Sequence, residues 1–539
     1  MINLYPNATE ILHLLPFITL YAELHFRFKW MGSLYYQNEP EILADTPYRI
    51  EPGLPIPILL LIKDSHLYPI KLHHVTVHIF QNNEEVHSIY TSINQKINKR
   101  WWDKTILIDT MNLYGNIKLN IEFYYSVNGQ EKHCTTHNFP QSNSNSLNCY
   151  ISNYTYPKDK FVQYGDLHYH TNLTEDMVEY GAPLRATLIA AQHMGLDFYC
   201  TTDHSYDLDD KYNSWRETDP NLRKWKNSRQ EIIDINNEDI FSSFIIPSEE
   251  LTLHNHMEQN VHALILNNSK FLSGNGDGAE KYFNFDSQYN TADIYNYLEN
   301  NAICIAAHPF EPVSFLRNIF FKRGKWHNKD IMHDKLAGFQ IINGEIGPGY
   351  YKGIKKWIKL LLKGIVKYMY AGNDAHGNFN IYRQIKIPMI SLFEGNKQIL
   401  GKFRTGVYAD KKNDIPSVID GLKRGNCFVS NGPLLNFSCD VSDIHYKMGD
   451  KIYAKKGRLN LHIISSPEFG LIKNILVIKG VIGKNKEDEY FTIIDPHEYE
   501  VKKSFDISVD SSCYFRCIIK SDSKKENIFA LSNPIWFYP

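Results

Sequence analysis

Hydrophobic and polar positions along this 539-residue chain follow three successive patterns. From about residue 48 to 139, short β-rich runs alternate with turn residues: IPILLLIKD (56–64), LHHVTVHIF (72–80), KTILIDT (104–110) and IKLNIEFYYSVNGQ (117–130), the last ending in an Asn-Gly turn signal. This spacing predicts an antiparallel sandwich, and the polar stretch 141–148 reads as a linker with little to bury. Between about 161 and 430, strand-like runs alternate with helical ones. Pro183 stands at a helix start, 184–194 has helical apolar spacing, and Gly195 follows the helix end before the run DFYCTT (197–202). Thr291 is placed to cap a helix over 292–301 ahead of AICIAAH (302–308), and a basic helix over 355–370 leads into YMYAGND. Such αβ alternation predicts a parallel sheet or barrel with its site at the C-terminal strand ends. After Pro433 the runs are short strands again (458–466, 472–480, 490–495, 503–509, 513–520), a second β-sandwich. No repeat of solenoid period is present. The reading is three domains: a β-sandwich over 1–155, an α/β unit over 156–432 and a second β-sandwich over 433–539.

Composition narrows the function. Lys plus Arg (58) nearly balances Asp plus Glu (60), giving a net charge of -2, so the chain lacks the basic footprint of a general nucleic-acid or acidic-membrane binder. Eight cysteines without a CxxC pair read as reduced thiols and point to a cytoplasmic protein. The first ten residues carry no basic region, and the apolar run 11–21 contains His13 and Pro16, so neither a secretion signal nor a membrane anchor is expected. The basic 355–370 stretch is read as an outer helix in preference to a membrane-surface one.

Histidine is abundant, with 23 residues, and its imidazole is the commonest metal ligand. In YGDLHYHT, His168 and His170 are two apart at a strand end, so both rings point to one face. Four further polar clusters end apolar strands: TTDH (Asp203, His204), PSEEL (Glu249, Glu250) with VHALIL (His262), AAHPF (His308) and GNDAH (Asp374, His376). Divalent cations held close together need bridging carboxylates to offset their repulsion and neutral imidazoles to complete their coordination. The absence of thiolates from these clusters argues against a structural zinc site.

In this order the motifs resemble the PHP family of metal-dependent hydrolases, named for polymerase and histidinol phosphatase, over roughly residues 161–380. The runs VIDGLKRGNCFVSNGPLL and ALSNPIWF resemble a branch with flanking β-domains that includes carbaryl-hydrolase-like proteins. The resemblance implies an α/β fold, a distorted (β/α)7 TIM-like barrel flanked by the two β-sandwich domains, holding two or three divalent ions (Mn, Zn or Fe) that activate a hydroxide. By motif position, His168, His170, Glu250 and Asp374 hold one metal, with Glu250 bridging, and His204, His262, His308 and His376 serve the others. Asp203 and His308 are the candidates for assisting catalysis, Asp203 as orienter or ligand. Glu249 is expected on the opposite strand face. Two departures stand out. Where relatives follow HxH with Ser-Asp-Gly, this chain has HTNLTEDMVEYGAP, leaving Asp176, ahead of Glu175 and Glu179, to fill that place; and Gln340 stands where relatives often carry a glutamate, with Asn343 and Glu345 nearby.

The remaining candidates have plainer readings. His254 and His256 read as a loop over the site mouth. The segment 320–334, with His327 and His333, is either an anionic-substrate lip or a charged surface loop. Arg185 is either a phosphate contact or an exposed arginine, and Tyr199 and Cys200 are core. The implied partner is a small-molecule substrate, a phosphoester first, with an ester, amide or carbamate as the second reading and a non-catalytic metal-binding scaffold as the third.

Overall fold

The computed structural model describes residues 39–138, 146–174, 181–212, 214–276, 284–313, 322–381, 384–387, 390–393, 397–523 and 527–539. Near the N-terminus, Glu41–Asp45, Ile56–Lys63 and Trp101–Ile108 form a three-stranded antiparallel sheet. A six-stranded sheet is built around Ile70–Gln81 and Gly115–Val127. On Ile70–Gln81 the residues Leu72, Val75, Val77 and Ile79 are buried while their neighbours are partly exposed, the alternation of a strand with one face in the core. Asn128 and Gly129 both take positive φ (51° and 77°), the geometry of the tight two-residue turn that Asn-Gly favours.

The central strands form one mixed sheet. Val162–His170 pairs in parallel with Phe198–Thr201, which pairs in parallel with Phe244–His254. The next strand, Asn260–Leu266, is antiparallel to both of its neighbours, Phe244–His254 and Ile303–Ala306. Leu336–Asn343 and Tyr368–Gly372 then continue in parallel. On its other edge Val162–His170 pairs antiparallel with Arg404–Tyr408, and the sheet runs on through Cys427–Ser430 and Phe529–Ser532 into Cys513–Ser521, Ile472–Val481 and Asp488–Glu498. A separate four-stranded sheet, from Ile444–Lys447 to Glu500–Ser508, packs beside them.

This overturns the expected (β/α)7 barrel. Strands dominate, and the described residues hold six α-helices, two of them (Ser205–Leu208 and Asn328–Ile331) only four residues long. Five residues separate His254 from Asn260, whereas a parallel crossover needs roughly a dozen. That hairpin forces antiparallel pairing into the middle of the sheet, and the continuation into the C-terminal strands makes one sixteen-stranded sheet, not a separate closed barrel.

Two helix expectations also change. Residues 292–301 form no α-helix, only a 3₁₀ turn at Ile294–Asn296. Asn290 Oδ1 accepts from the backbone N–H of both Ala292 and Asp293 (2.8 Å each), a local turn that competes with helix, and Thr291 Oγ1 donates to Asp330 (2.7 Å) rather than capping. The basic helix is Pro348–Leu361, earlier than 355–370; it buries Trp357, Leu360 and Leu361, and Gly364 (φ 74°) follows its end.

Three buried polar side chains fasten these layers. Arg404 donates to the carbonyls of Met194 (2.9 Å), Gly195 (3.0 Å) and Gly401 (3.0 Å), closing the C-terminal end of helix Leu184–His193. Asn533, in ALSNPIWF, accepts from Met369 N–H (2.9 Å) and donates to the Cys427 carbonyl (3.0 Å), tying the C-terminal segment to the strand that precedes Asp374. Asp45 accepts from the N–H groups of Phe379 (2.7 Å) and Ile381 (3.1 Å), which holds the N-terminal sheet against the turn after His376. Among the described residues no helix is long and apolar enough to cross a membrane.

Candidate metal centre

Val162–His170 is a wholly buried strand, irregular between Asp166 and Tyr169, and its last residues bring His168 and His170 to one place. His168 Nε2 and His170 Nε2 lie 3.1 Å apart, and each is 3.2 Å from Asp374 Oδ1. Two imidazole nitrogens and a carboxylate oxygen at this spacing converge on one point.

Glu250 divides the remaining histidines. Its Oε1 is 2.7 Å from His262 Nδ1 and 3.1 Å from His308 Nε2; its Oε2 is 3.1 Å from His204 Nδ1, 3.4 Å from His168 Nε2 and 3.5 Å from His170 Nε2. His376 stacks on His170 (4.4 Å between centroids) with its Nε2 3.5 Å from Asp374 Oδ1. Two groups of potential ligand atoms result, His168–His170–Glu250–Asp374 and His204–Glu250–His262, and Glu250 belongs to both. The buried His204 Nδ1 has no hydrogen-bond partner despite its closeness to Glu250. A cluster of nitrogen and carboxylate lone pairs with one buried nitrogen unsatisfied fits a divalent cation. Asp176, Glu175 and Glu179 lie outside the described residues.

The residues behind these ligands set their direction. Gln340 Oε1 accepts from His168 Nδ1 (2.9 Å) and from the His308 N–H (3.2 Å), leaving His168 Nε2 aimed at the carboxylates. Gln340 passes the chain on to Asn343 Oδ1 (2.7 Å), and Asn343 donates to Asp374 Oδ2 (3.1 Å). Gln340 is therefore a positioning residue. Asp166 accepts from the N–H groups of His168, Asn373 and Gly401 and from Asn373 Nδ2 (2.7 Å), clamping the His168 strand to the turn carrying Asp374. Asp166 and Asn373 were not among the sequence candidates.

Asp203 was expected as an orienter or a ligand, and its hydrogen bonds are those of an orienter. Its carboxylate accepts from Thr171 N–H (2.6 Å), Thr171 Oγ1 (2.9 Å) and Thr174 Oγ1 (2.9 Å), so it holds the turn whose Thr174 meets His170 Nδ1 (3.3 Å) and faces none of the clustered nitrogens. It is in neither of the two groups of clustered ligand atoms. Glu249 points to the other side of its strand, accepting from Trp225 Nε1 and Arg229 Nη2 (2.6 Å each). His254 and His256 are engaged in the loop, with Ser287 Oγ (2.9 Å) and Asp330 (3.0 Å), and His333 stacks on Tyr295. Arg185 pairs with Glu238.

Electrostatics follow from burial and proximity. Burial opposes charge on His168, but the Asp374 and Glu250 carboxylates outweigh it and push the imidazole up to about 9. Burial, reinforced by His376, holds His170 well below its ordinary value, and burial lowers His308 as well. Burial alone would raise Glu250 and Asp374; the imidazoles of His262 and His168 keep the first well below the usual carboxylate range, and His168 does the same for the second. His308 and Asp374 also occupy left-handed backbone (φ 28° and 52°), a strained conformation for non-glycine residues that concentrates at functional sites.

A cavity of about 360 Å³ opens onto His262, His308 and Asp374. Arg323 and Lys325, from the segment read as a lip or a surface loop, line it; Arg323 Nη1 contacts His262 Nε2. Glu311 is on the same wall, its carboxyl pushed up by burial and by the neighbouring Glu345 and Asp374 carboxylates, and Glu345 pairs with Lys397.

No protein-family model matches the chain, and no curated protein matches it. Three solved structures, all named as enzymes, align loosely. A β-D-mannosidase from Dictyoglomus thermophilum shares 7% identity over 92% of this chain and 66% of its own, with a TM-score of 0.23. A Paenibacillus sp. cycloisomaltooligosaccharide glucanotransferase complexed with cycloisomaltoheptaose gives 10%, 92%, 71% and 0.18. A Parabacteroides merdae β-glucuronidase with glycerol in its active site gives 7%, 93%, 64% and 0.19. The chain thus spans slightly less than two thirds of the mannosidase. At these TM-scores the likeness defines neither a shared fold nor a shared chemistry.

Proposed function

We propose that the chain is a metal-dependent hydrolase acting on phosphoesters, with a site for two or three divalent cations at the Glu250–Asp374 cluster. The observation that carries this reading is the division of Glu250: one carboxylate oxygen faces His262 and His308, the other His168, His170 and His204. A buried carboxylate placed between two sets of imidazoles suits a bridging ligand better than a structural ion pair, which needs one partner. When bound, the cations supply Lewis acidity, lowering the pKa of a coordinated water and polarising the scissile group.

The chain's own residues do the rest. Gln340 holds His168 Nδ1, so that Nε2 would be the nitrogen left to hold a cation. Asp166 and Asp203 hold the Asn373–Asp374 and Thr171–Thr174 turns, keeping Asp374 and His170 in place. Arg323 and Lys325 put positive charge on the cavity wall, which attracts and orients a phosphoryl group in a protein with no net basic surface. Glu311, whose carboxyl retains its proton to higher pH, is the wall residue suited to protonate a leaving oxygen.

The test pairs metal analysis of purified protein with a panel of aryl phosphomonoesters, phosphodiesters, carboxylic esters and carbamates, comparing wild type with His168→Ala. Metal-dependent phosphoester hydrolysis lost in His168→Ala supports the reading. Equal activity in the variant, or hydrolysis confined to carbon esters, overturns it.

A further inference from the structure

A second cavity, of about 740 Å³, lies where the N-terminal, central and C-terminal strands meet, and none of its lining residues belongs to the metal cluster. Its volume falls within the ~300–1,000 Å³ usual for small-molecule sites. Five aromatic residues line it: Tyr48 from the bend before Arg49–Ile50, Tyr150 from the strand Leu147–Ile151, Tyr156 from the segment that follows, and Phe469 and Tyr499 from connections between C-terminal strands. Tyr156 is fixed from behind. Arg404 lies 3.7 Å from its ring centroid, and the rings of Tyr164 and Phe469 meet it edge-on at 5.0 and 5.1 Å. Its hydroxyl is buried and has no hydrogen-bond partner, a loss that a native structure rarely leaves unexplained.

The charges on the wall cancel. Arg49 is committed to Glu468 (2.7 Å) and Glu51, and Ser152 Oγ donates to the other oxygen of Glu468 (2.8 Å). Lys402 and Asp522 add one charge of each sign. An anionic ligand such as a nucleotide finds no net positive wall here, and a purely apolar one would leave the Tyr156 hydroxyl unsatisfied. Flat apolar faces interleaved with neutral hydrogen-bonding groups match a pyranose ring, which presents C–H faces for stacking and hydroxyls around its edge.

We propose that this cavity binds a short neutral oligosaccharide, stacked on Tyr150 and Tyr499 and hydrogen-bonded by Tyr156. Binding here is independent of the chemistry at the metal cluster.

Saturation-transfer NMR on the full chain, with maltotriose, cellotriose and triacetylchitotriose as probes, tests the proposal. At least one trisaccharide is expected to bind. Tyr499→Ala, at a 40% exposed position, is expected to weaken that binding about tenfold through loss of one stacking face. Tyr156→Phe, which keeps the ring and its packing, is expected to weaken it several-fold with an unchanged melting temperature. Absence of binding by all three probes at about 10 mM, a concentration that reveals even millimolar affinity, overturns the proposal, as does equal binding by wild type and both variants.

Discussion

Stripping divalent cations with a chelator makes His168 the main pH-sensitive element of the cluster. Its imidazole rises from 6.5 to about 9 in the folded chain, so below pH 6.5 it is protonated both folded and unfolded, and its pairing with Asp374 and Glu250 contributes fully. Between 6.5 and about 9 only the folded chain keeps that proton, and stability falls by ~1.4 kcal/mol per pH unit. From pH 6.5 to 8.5 the loss is roughly 3 kcal/mol, a large part of a typical folding free energy. His170 and His308 act oppositely: their folded values are lowered, so the unfolded chain gains protons first and stability drops as pH falls below 6.5. The contribution of these histidines to the stability of the chelated protein is therefore expected to peak near pH 6.5. The loaded protein, whose imidazoles must be neutral to ligate, does not lose stability on the alkaline side. Urea unfolding at a series of pH values, with and without chelator, measures both curves, and His168→Gln isolates the slope due to this residue. A chelated chain as stable at pH 8.5 as at 6.5, or an unchanged slope in His168→Gln, refutes the reasoning.

Arg323→Ala is expected to raise KM for an aryl phosphomonoester about tenfold, the scale of one charge-assisted contact, while bound metal is unchanged on elemental analysis. Asp203→Asn should lower metal affinity by roughly 10–100-fold, measured by competition with a chromogenic chelator, because it loosens the Thr171–Thr174 turn without removing a ligand. Gly338→Ala should abolish soluble expression or lower the melting temperature steeply, since its Cβ would fall 1.8 Å from the Tyr368 carbonyl oxygen on the adjoining strand.

What the sequence disclosed and concealed follows one physical division. Site histidines were legible because short buried strands display them at fixed period: His168 and His170 share a face, and Glu249 and Glu250 point apart, from spacing alone. Asp166 was not legible, because the strand is irregular between it and Tyr169 and a carboxylate that accepts only backbone and amide hydrogens leaves no motif. Topology was harder, because local apolar alternation reports that a strand exists and not which strand it meets. The five residues between His254 and Asn260 did carry the needed information, since so short a link permits only a hairpin. Helix 292–301 failed because Asn290 offers its side chain to the first N–H groups, an effect that apolar spacing does not register. The role of Gln340 was hidden for a related reason: an amide in a carboxylate's place reads as loss of a ligand until His168 Nδ1 is seen donating to it.

Elemental analysis of the purified wild-type chain beside Glu250→Gln tests the bridging role of Glu250 most directly. The substitution preserves side-chain volume and removes only the charge shared by the two sets of imidazoles. At least about two divalent cations per chain in wild type, and about one or none in Glu250→Gln, are expected of a bridging carboxylate. A wild-type chain without bound metal, or a variant that retains the full complement, would contradict it.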